Sequence, residues 1–227
     1  LEIINLFPHL TYVEAFGGGG TVLLVKAPSK IEVYNDINSD IVNFYRVLRD
    51  KQKFEELKRF VSLTPYSREE FHNFKFRAPG DDDVTWAAKW FVVARQSFSG
   101  HWGHSWAFST TESNRGMSHR VSAYLSAIDR LEDVHKRLSM VQIENSDFRK
   151  IIKNYDRETT LFYLDPPYIH EKRGKDRYQN EMTDEDHEEL VELLLKIKGK
   201  AILSGYDNEI YRRLEEAGWQ KKTFGYM

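Results

Sequence analysis

Thr160-Leu161-Phe162-Tyr163-Leu164-Asp165-Pro166-Pro167-Tyr168 joins an uninterrupted apolar run to a rigid turn. The run suits a strand buried in a sheet. Two consecutive prolines end it, because each fixes φ and lacks an N–H donor. An earlier stretch has the same shape. Thr11-Tyr12-Val13-Glu14-Ala15-Phe16 reads as a strand, runs into Gly17-Gly18-Gly19-Gly20, and continues as a short helix over residues 21–26. Ile31-Glu32-Val33-Tyr34 is a third strand, ending at Asn35-Asp36. Val141-Gln142-Ile143-Glu144 and Ala201-Ile202-Leu203 are two more. Between them lie helical patterns at about 40–48, at 148–155 and at about 208–217. A further helix starts at Thr183, with Asp186 as its capping partner and Leu190, Val191, Leu194 and Ile197 as its apolar stripe. Strands alternating with helices predict an α/β fold: a mostly parallel, Rossmann-like sheet with helices on both faces.

From residue 51 to 138 the periodicity is mostly helical. Phe54, Leu57 and Val61 mark one helix, residues 69–76 another and residues 86–98 a third. Val121, Tyr124, Leu125, Ile128 and Leu131 mark a fourth. Polar and aromatic loops at 99–106 and 110–119 separate the last two. The expected organisation is a core of residues 1–50 and 140–227 with a helical insertion at 51–139.

Composition narrows the chemistry. The chain has 227 residues, 41% hydrophobic and 30% charged, and a mean hydropathy of -0.60, a globular composition rather than a disordered one. No stretch approaches the roughly 20 apolar residues of a transmembrane helix, so no membrane partner is expected. With no cysteine, thiolate catalysis, disulfides and Cys-ligated metal are excluded. The net charge of -2 advertises no nucleic acid, so any such affinity needs a local patch.

The chemistry-bearing residues sit where strands end. Glycines at 17–20 let backbone approach a ligand closely, and the helix behind offers free N–H groups; a tight turn without a ligand is the alternative. No Lys-Ser or Lys-Thr follows, so a phosphate-cradling loop is not expected. Asp36, about 20 residues past the glycines, is placed to accept from ribose hydroxyls, or to serve a turn or cap the next helix. At Asp165-Pro166-Pro167-Tyr168 a carboxylate stands beside carbonyls freed by proline. Together they suit a planar amino group with two N–H bonds, and Tyr168 could stack on its ring. A strand-ending turn is the competing reading.

These stretches, with Asn35-Asp36-Ile37-Asn38, Glu144-Asn145-Ser146-Asp147-Phe148 and Leu203-Ser204-Gly205-Tyr206, resemble the Dam-like DNA adenine-N6 methyltransferases, in matching order and over nearly the whole chain. The resemblance implies a Rossmann-like methyltransferase sheet whose insertion recognises the DNA target. It implies S-adenosylmethionine as methyl donor, with no metal, and double-stranded DNA from which the target adenine is flipped. Glu14, Phe16, Gly17, Gly18, Gly19, Asp36, Ile37, Asp147, Phe148 and Asp165 would bind the cofactor. Asp36 would take its ribose and Asp147 its adenine amine, although a helix N-cap suits Asp147 equally. Asp165, Pro166, Pro167 and Tyr168 would be catalytic.

Lys172, Arg173, Lys175 and Arg177 are candidate phosphate contacts, or a solvated loop broken by Glu171 and Asp176. Asn114, Arg115 and Arg120, with His119, are candidates from the insertion. Trp102 and Trp106 suit stacking or plain packing, and His101 and His104 read as loop residues more than as metal ligands. A cognate restriction endonuclease is a further partner the resemblance allows, and it fits the cytoplasm of a bacterial or phage-infected cell.

The sequence carries Ala15 where Pro is common. It lacks the family's upstream Gly-Gly-Lys segment and its last strands, so it reads as incomplete. Two alternatives stay open. One is methylation of another planar amine, cytosine N4 or an RNA base. The other is a truncated, non-catalytic remnant that binds DNA or cofactor.

Overall fold

The structure is a computed structural model and describes residues 2–100, 102–169 and 181–224. In chain order the elements are α1 (Glu2–Asn5), β1 (Thr11–Glu14), α2 (Thr21–Val25), β2 (Ile31–Asn35), α3 (Ser39–Arg49), α4 (Lys51–Leu63), α5 (Arg68–Asn73), α6 (Asp83–Gln96), β3 (Ser113–Asn114), β4 (Met117–Ser118), α7 (His119–Asp129), α8 (Leu131–Leu138), β5 (Gln142–Glu144), α9 (Phe148–Tyr155), β6 (Thr160–Leu164), α10 (Asp184–Leu194), β7 (Lys200–Leu203) and α11 (Glu209–Glu216). They fold as two compact units, Leu1–Asn38 with Glu144–Met227, and Ser39–Ile143.

The first unit holds the sheet, of strand order β5-β2-β1-β6-β7. β1 pairs in parallel with β2, Thr11 opposite Ile31, and with β6, Thr11 opposite Thr160; β6 pairs in parallel with β7. Parallel pairing puts the carboxyl ends of these strands along one edge. Sequence order reverses between β1 and β6, and open α/β sheets bind ligands beyond that crossing point. Glu14 lies opposite Tyr163, so the turn after β1 and the Asp165 turn after β6 leave the sheet from adjacent strand ends.

One face of the sheet is apolar. Val13, Val33, Phe162 and Leu164 pack with Ile151 and Ile152 of α9, Leu190, Val191 and Leu194 of α10, and Leu214 of α11. The expected capping box starts α10: Thr183 accepts from the Asp186 N–H while Asp186 accepts from the Thr183 N–H. The alternate residues of β1 and β2, Tyr12, Glu14, Glu32 and Tyr34, face the other way and are also buried. Their polar groups are satisfied locally. Tyr12 Oη donates to Glu14 Oε1 at 2.8 Å, and Lys26 forms a buried ion pair with Glu32 while its Nζ stands 4.3 Å from the centre of the Tyr12 ring. Burial pushes the Glu14 carboxyl up to about 7, against hydrogen bonds from Tyr12 and the Leu23 backbone and the charge of Lys26.

The second unit is helical, as the pattern of residues 51–138 predicts, with α3 packed on α6, α4 and α8. Phe44, Leu48, Phe54, Leu57, Val61, Phe91, Val92 and Tyr124 are among its buried residues. Two features differ from the expectation. The helix read through Leu131 is two helices that part at Arg130. The stretch 110–119, read as loop, holds an antiparallel hairpin in which Asn114 faces Met117. Its turn residues Arg115 and Gly116 have φ of 53° and 74°, the two positive values of a type I′ turn.

Candidate functional site

The turn after β1 is built on Tyr34. Gly17 N donates to Asn35 O at 2.8 Å, Gly20 N to Gly17 O at 2.7 Å, and Tyr34 Oη to Gly18 O at 2.6 Å. A Cβ on Gly17 would lie 2.2 Å from the Tyr34 ring, so only glycine fits there. Gly18 and Gly20 take φ of 47° and 58°, and the space around Gly18 is open. The turn therefore rests on an aromatic ring below and leaves its backbone accessible above.

Asp36 closes this turn from β2. Its Oδ2 accepts from Gly18 N and its Oδ1 from Asn38 N, both at 2.8 Å. Burial raises its pKa, and these backbone donors pull it down. The turn role leaves acceptor capacity over, because each carboxylate oxygen retains a further lone pair. Ile37 follows and is exposed.

Asn35 does more than end β2. Only 1% exposed, it donates from Nδ2 to Ala15 O at 2.8 Å and Ser146 O at 2.9 Å, and accepts from Ser146 N at 2.9 Å. Asn145 Nδ2 donates to Asp36 O at 2.8 Å. These two amides tie the chain after β5 to the ends of β1 and β2. No local signal announces them, since the partners lie 20 to 111 residues away.

Phe16 and Phe148 then meet at 5.2 Å between ring centroids. Asp147 caps α9, accepting from Arg149 N at 2.8 Å, and pairs with the Arg149 guanidinium at 3.0 Å. Arg149 also bonds Asp186 and Glu189. Glu14, by contrast, is 2% exposed and lies beneath the turn, held to Tyr12 and Leu23.

Beyond β6, Asp165 is exposed, Pro166 buried, and Tyr168 half-buried. Tyr168 Oη donates to Asp165 Oδ1 at 3.3 Å, and the Tyr168 ring meets Tyr206 edge to face at 4.8 Å. The carboxyl edge thus gathers the glycine turn, Asp36, Phe16, Phe148 and Asp147 on one side of the crossing point and Asp165 with Tyr168 on the other. Three carboxylates, an open backbone turn and aromatic rings share one edge.

In the second unit Asn114 is exposed on the hairpin. Arg115 is tied down, donating to Ser122 Oγ and Ser122 O at 3.0 Å and also bonding Ser126. Arg120 stands 5.8 Å from the Phe98 ring. Trp106 donates to Gln96 Oε1 at 2.9 Å and stacks on Phe108, with Arg68 over its ring at 4.9 Å. Lys172, Arg173, Lys175, Arg177 and His101 lie outside the described residues. Among the described residues no three acidic or His side chains group as metal ligands, and no helix is long and apolar enough to cross a membrane.

A parallel sheet with this strand order and an open glycine turn at its carboxyl edge make a Rossmann-like fold. The chain belongs to the D12 class N6 adenine-specific DNA methyltransferase family, which it matches over residues 1–223. It is similar to the Type II methyltransferase M1.LlaDCHI of Lactococcus lactis subsp. cremoris, 26% identical over 73% of this chain. The match spans 62% of that relative's length.

Proposed function

We propose that the chain transfers a methyl group from S-adenosylmethionine to the exocyclic amine of an adenine flipped out of double-stranded DNA. The observation that carries this is Asp165, followed by two prolines and a tyrosine and exposed at the carboxyl end of β6, beside the crossing point; membership of an adenine-methylating family supports reading that turn as the amine acceptor. The open space above Gly18 and the half-buried Asp36 carboxylate beside it fit a nucleoside-bearing cofactor. Bound there, it supplies an electrophilic methyl carbon.

The chain's residues prepare the nucleophile. Asp165 and the Pro166 carbonyl accept the two N–H bonds of the amine. This draws the nitrogen lone pair out of conjugation and leaves it free for in-line attack; as the N–C bond forms the S–CH3 bond would break, the thioether would leave as S-adenosylhomocysteine, and the surplus N–H proton would pass by way of Asp165 to solvent. Tyr168 stacks on the ring. Asp36 takes the ribose hydroxyls, Asp147 accepts from the cofactor's adenine amine, and Phe16 and Phe148 wall the pocket, with Ile37 at its rim. Glu14 acts through the turn above it. Orientation and exclusion of water lower the barrier, and no covalent enzyme intermediate or metal is needed.

The second unit, which contains the whole of the expected insertion, recognises the DNA target through its hairpin. Asn114 is available for base edges and Arg120 for backbone, while Arg115 braces the hairpin on α7. Lys172, Arg173, Lys175 and Arg177 follow the catalytic motif and suit phosphates beside the flipped base. The Type II name of the relative fits pairing with a cognate restriction endonuclease in a bacterial or phage-infected cell.

The test is transfer from labelled S-adenosylmethionine to unmethylated genomic DNA, followed by nucleoside analysis. Label in N6-methyldeoxyadenosine is the expected result. Label in N4-methyldeoxycytidine moves the substrate to cytosine. Cofactor binding without transfer defines a non-catalytic chain and overturns the proposal.

A further inference from the structure

We propose that Tyr206 forms the second aromatic wall of the target-base pocket, meeting edge-on the base that stacks on Tyr168. This rests on the methyl-transfer function proposed above and adds a residue that touches the substrate.

The geometry starts from the ends of two adjacent strands. β6 and β7 pair in parallel with Leu164 opposite Leu203, and Ser204 N donates to Leu164 O at 2.8 Å, one step past β7. The same register carried forward runs Ser204 beside Asp165, Gly205 beside Pro166 and Tyr206 beside Pro167. The rings of Tyr168 and Tyr206 are 4.8 Å apart and inclined at 65°. A base lying parallel to Tyr168 is inclined to Tyr206 by the same angle. The two rings form a corner, and a planar base seated on one wall meets the other in the edge-to-face arrangement that aromatic groups favour. Asp165 stands at the hydroxyl of Tyr168, 3.3 Å away, which puts the amine acceptor at the same corner. Tyr206 is 40% exposed, so part of its surface is open to a ligand.

The wall is held from behind. A Cβ on Gly205 would lie 2.8 Å from Tyr211 Cε2, so the Tyr211 ring presses directly on the turn. Tyr211 Oη is 2.8 Å from Nδ1 of His187, which is fully buried in α10. Asn208 accepts from Tyr211 N at 2.8 Å and donates to Tyr206 O at 2.9 Å. A side chain that only decorated the surface would have no need of a backbone fixed on both sides. Such a rigid mount suits a ring that must stay in place while a base enters.

The test compares Tyr206→Ala and Tyr206→Phe with the unaltered chain. Methyl transfer to unmethylated genomic DNA gives kcat/KM, and titration gives the cofactor Kd. The expected result for Tyr206→Ala is a roughly two- to tenfold fall in kcat/KM, the worth of one edge-to-face aromatic contact, with cofactor Kd unchanged and a melting temperature lower by no more than about 5 °C, the worth of the lost Tyr168 contact. Tyr206→Phe keeps the ring and should restore the rate. An unchanged kcat/KM in Tyr206→Ala overturns the proposal. So does a loss that Tyr206→Phe fails to restore, which would assign the effect to the hydroxyl, or an equal loss of cofactor affinity. No transfer by the unaltered chain refutes the proposed function itself, and this pocket with it.

Discussion

Gly17→Ala probes the one contact on which the whole glycine turn rests. The added Cβ would lie 2.2, 2.6 and 2.8 Å from Cε2, Cδ2 and Cζ of Tyr34. Carbon atoms settle about 3.5–4.0 Å apart, so ring or turn must move by more than about 1 Å. Neither moves easily. Tyr34 is fully buried, and its hydroxyl is bonded to Gly18 O at 2.6 Å. Overpacking costs about 1–3 kcal/mol and the hydroxyl's hydrogen bond about 1, giving an expected loss of about 2–4 kcal/mol. For a chain of this size that is a fall in Tm of roughly 5–15 °C. Gly18→Ala is the control, because φ there is 47° and nothing lies within 4 Å. It costs only the left-handed conformation, about 1–2 kcal/mol. Thermal and urea unfolding of both variants, and of Gly17→Ala combined with Tyr34→Ala, isolate the clash. With the ring gone, the double variant should lose less than the sum of its parts. Additive losses, or a Gly17→Ala no worse than Gly18→Ala, would refute the steric account of the turn.

Asp165→Ala should abolish methyl transfer while unfolding within about 0.5 kcal/mol of the unaltered chain, since the side chain is exposed; normal methylation would remove Asp165 from the mechanism. Glu14, raised from 4.5 to about 7 mainly by burial, keeps in the folded state a proton that the unfolded chain has released between those pH values. Stability should therefore fall as pH rises across that window and level off above it, and Glu14→Gln should flatten the slope by on the order of 2–3 kcal/mol in denaturant titrations at pH 5 and pH 8. Arg115→Ala frees the hairpin from Ser122 and Ser126, so affinity for duplex DNA should drop in fluorescence anisotropy while cofactor Kd holds; equal affinity would leave the brace without a role in recognition.

The sheet was legible because parallel strands write their boundaries in sequence. Thr160–Leu164 is apolar throughout and is stopped by Asp165-Pro166-Pro167, and the helix after Met182 announces itself through Thr183 and Asp186. The second unit was less so. Residues 119–138 carry an almost continuous helical period with no Gly or Pro at Arg130, where α7 and α8 part. The hairpin has strands of two residues, too short for a period-2 pattern, and puts an arginine where a type I′ turn prefers Asn, Asp or Gly. α3 shows an apolar stripe in sequence, but a stripe does not say what covers it. Expected with the core of residues 1–50, it packs in the second unit.

The site divides along a similar line, and the division has a physical cause. Asp36, Asp147 and Asp165 stood out because each follows a strand, and in a parallel sheet the end of a strand is also a place in space. Tyr34, inside β2, carries no such mark, and at Asn35 and Tyr206 a place near a strand end does not say what the side chain does. Their importance lies in what they touch: Asn35 reaches Ser146, 111 residues away, Tyr34 fills the space a Cβ on Gly17 would need, and Tyr206 leans on Tyr168 from a neighbouring strand. Asp147 shows why neither kind of information suffices alone. Its place after β5 announces both a helix cap and a ligand acceptor, and the structure shows the cap made and the remaining oxygen paired with Arg149. A carboxylate offers about four acceptor positions, so the cap fixes the side chain without exhausting it. The same holds for Asp36, whose two backbone donors orient the carboxylate they leave available. At both positions the local structural role and the proposed ligand role are compatible, because the first supplies the rigidity that the second requires.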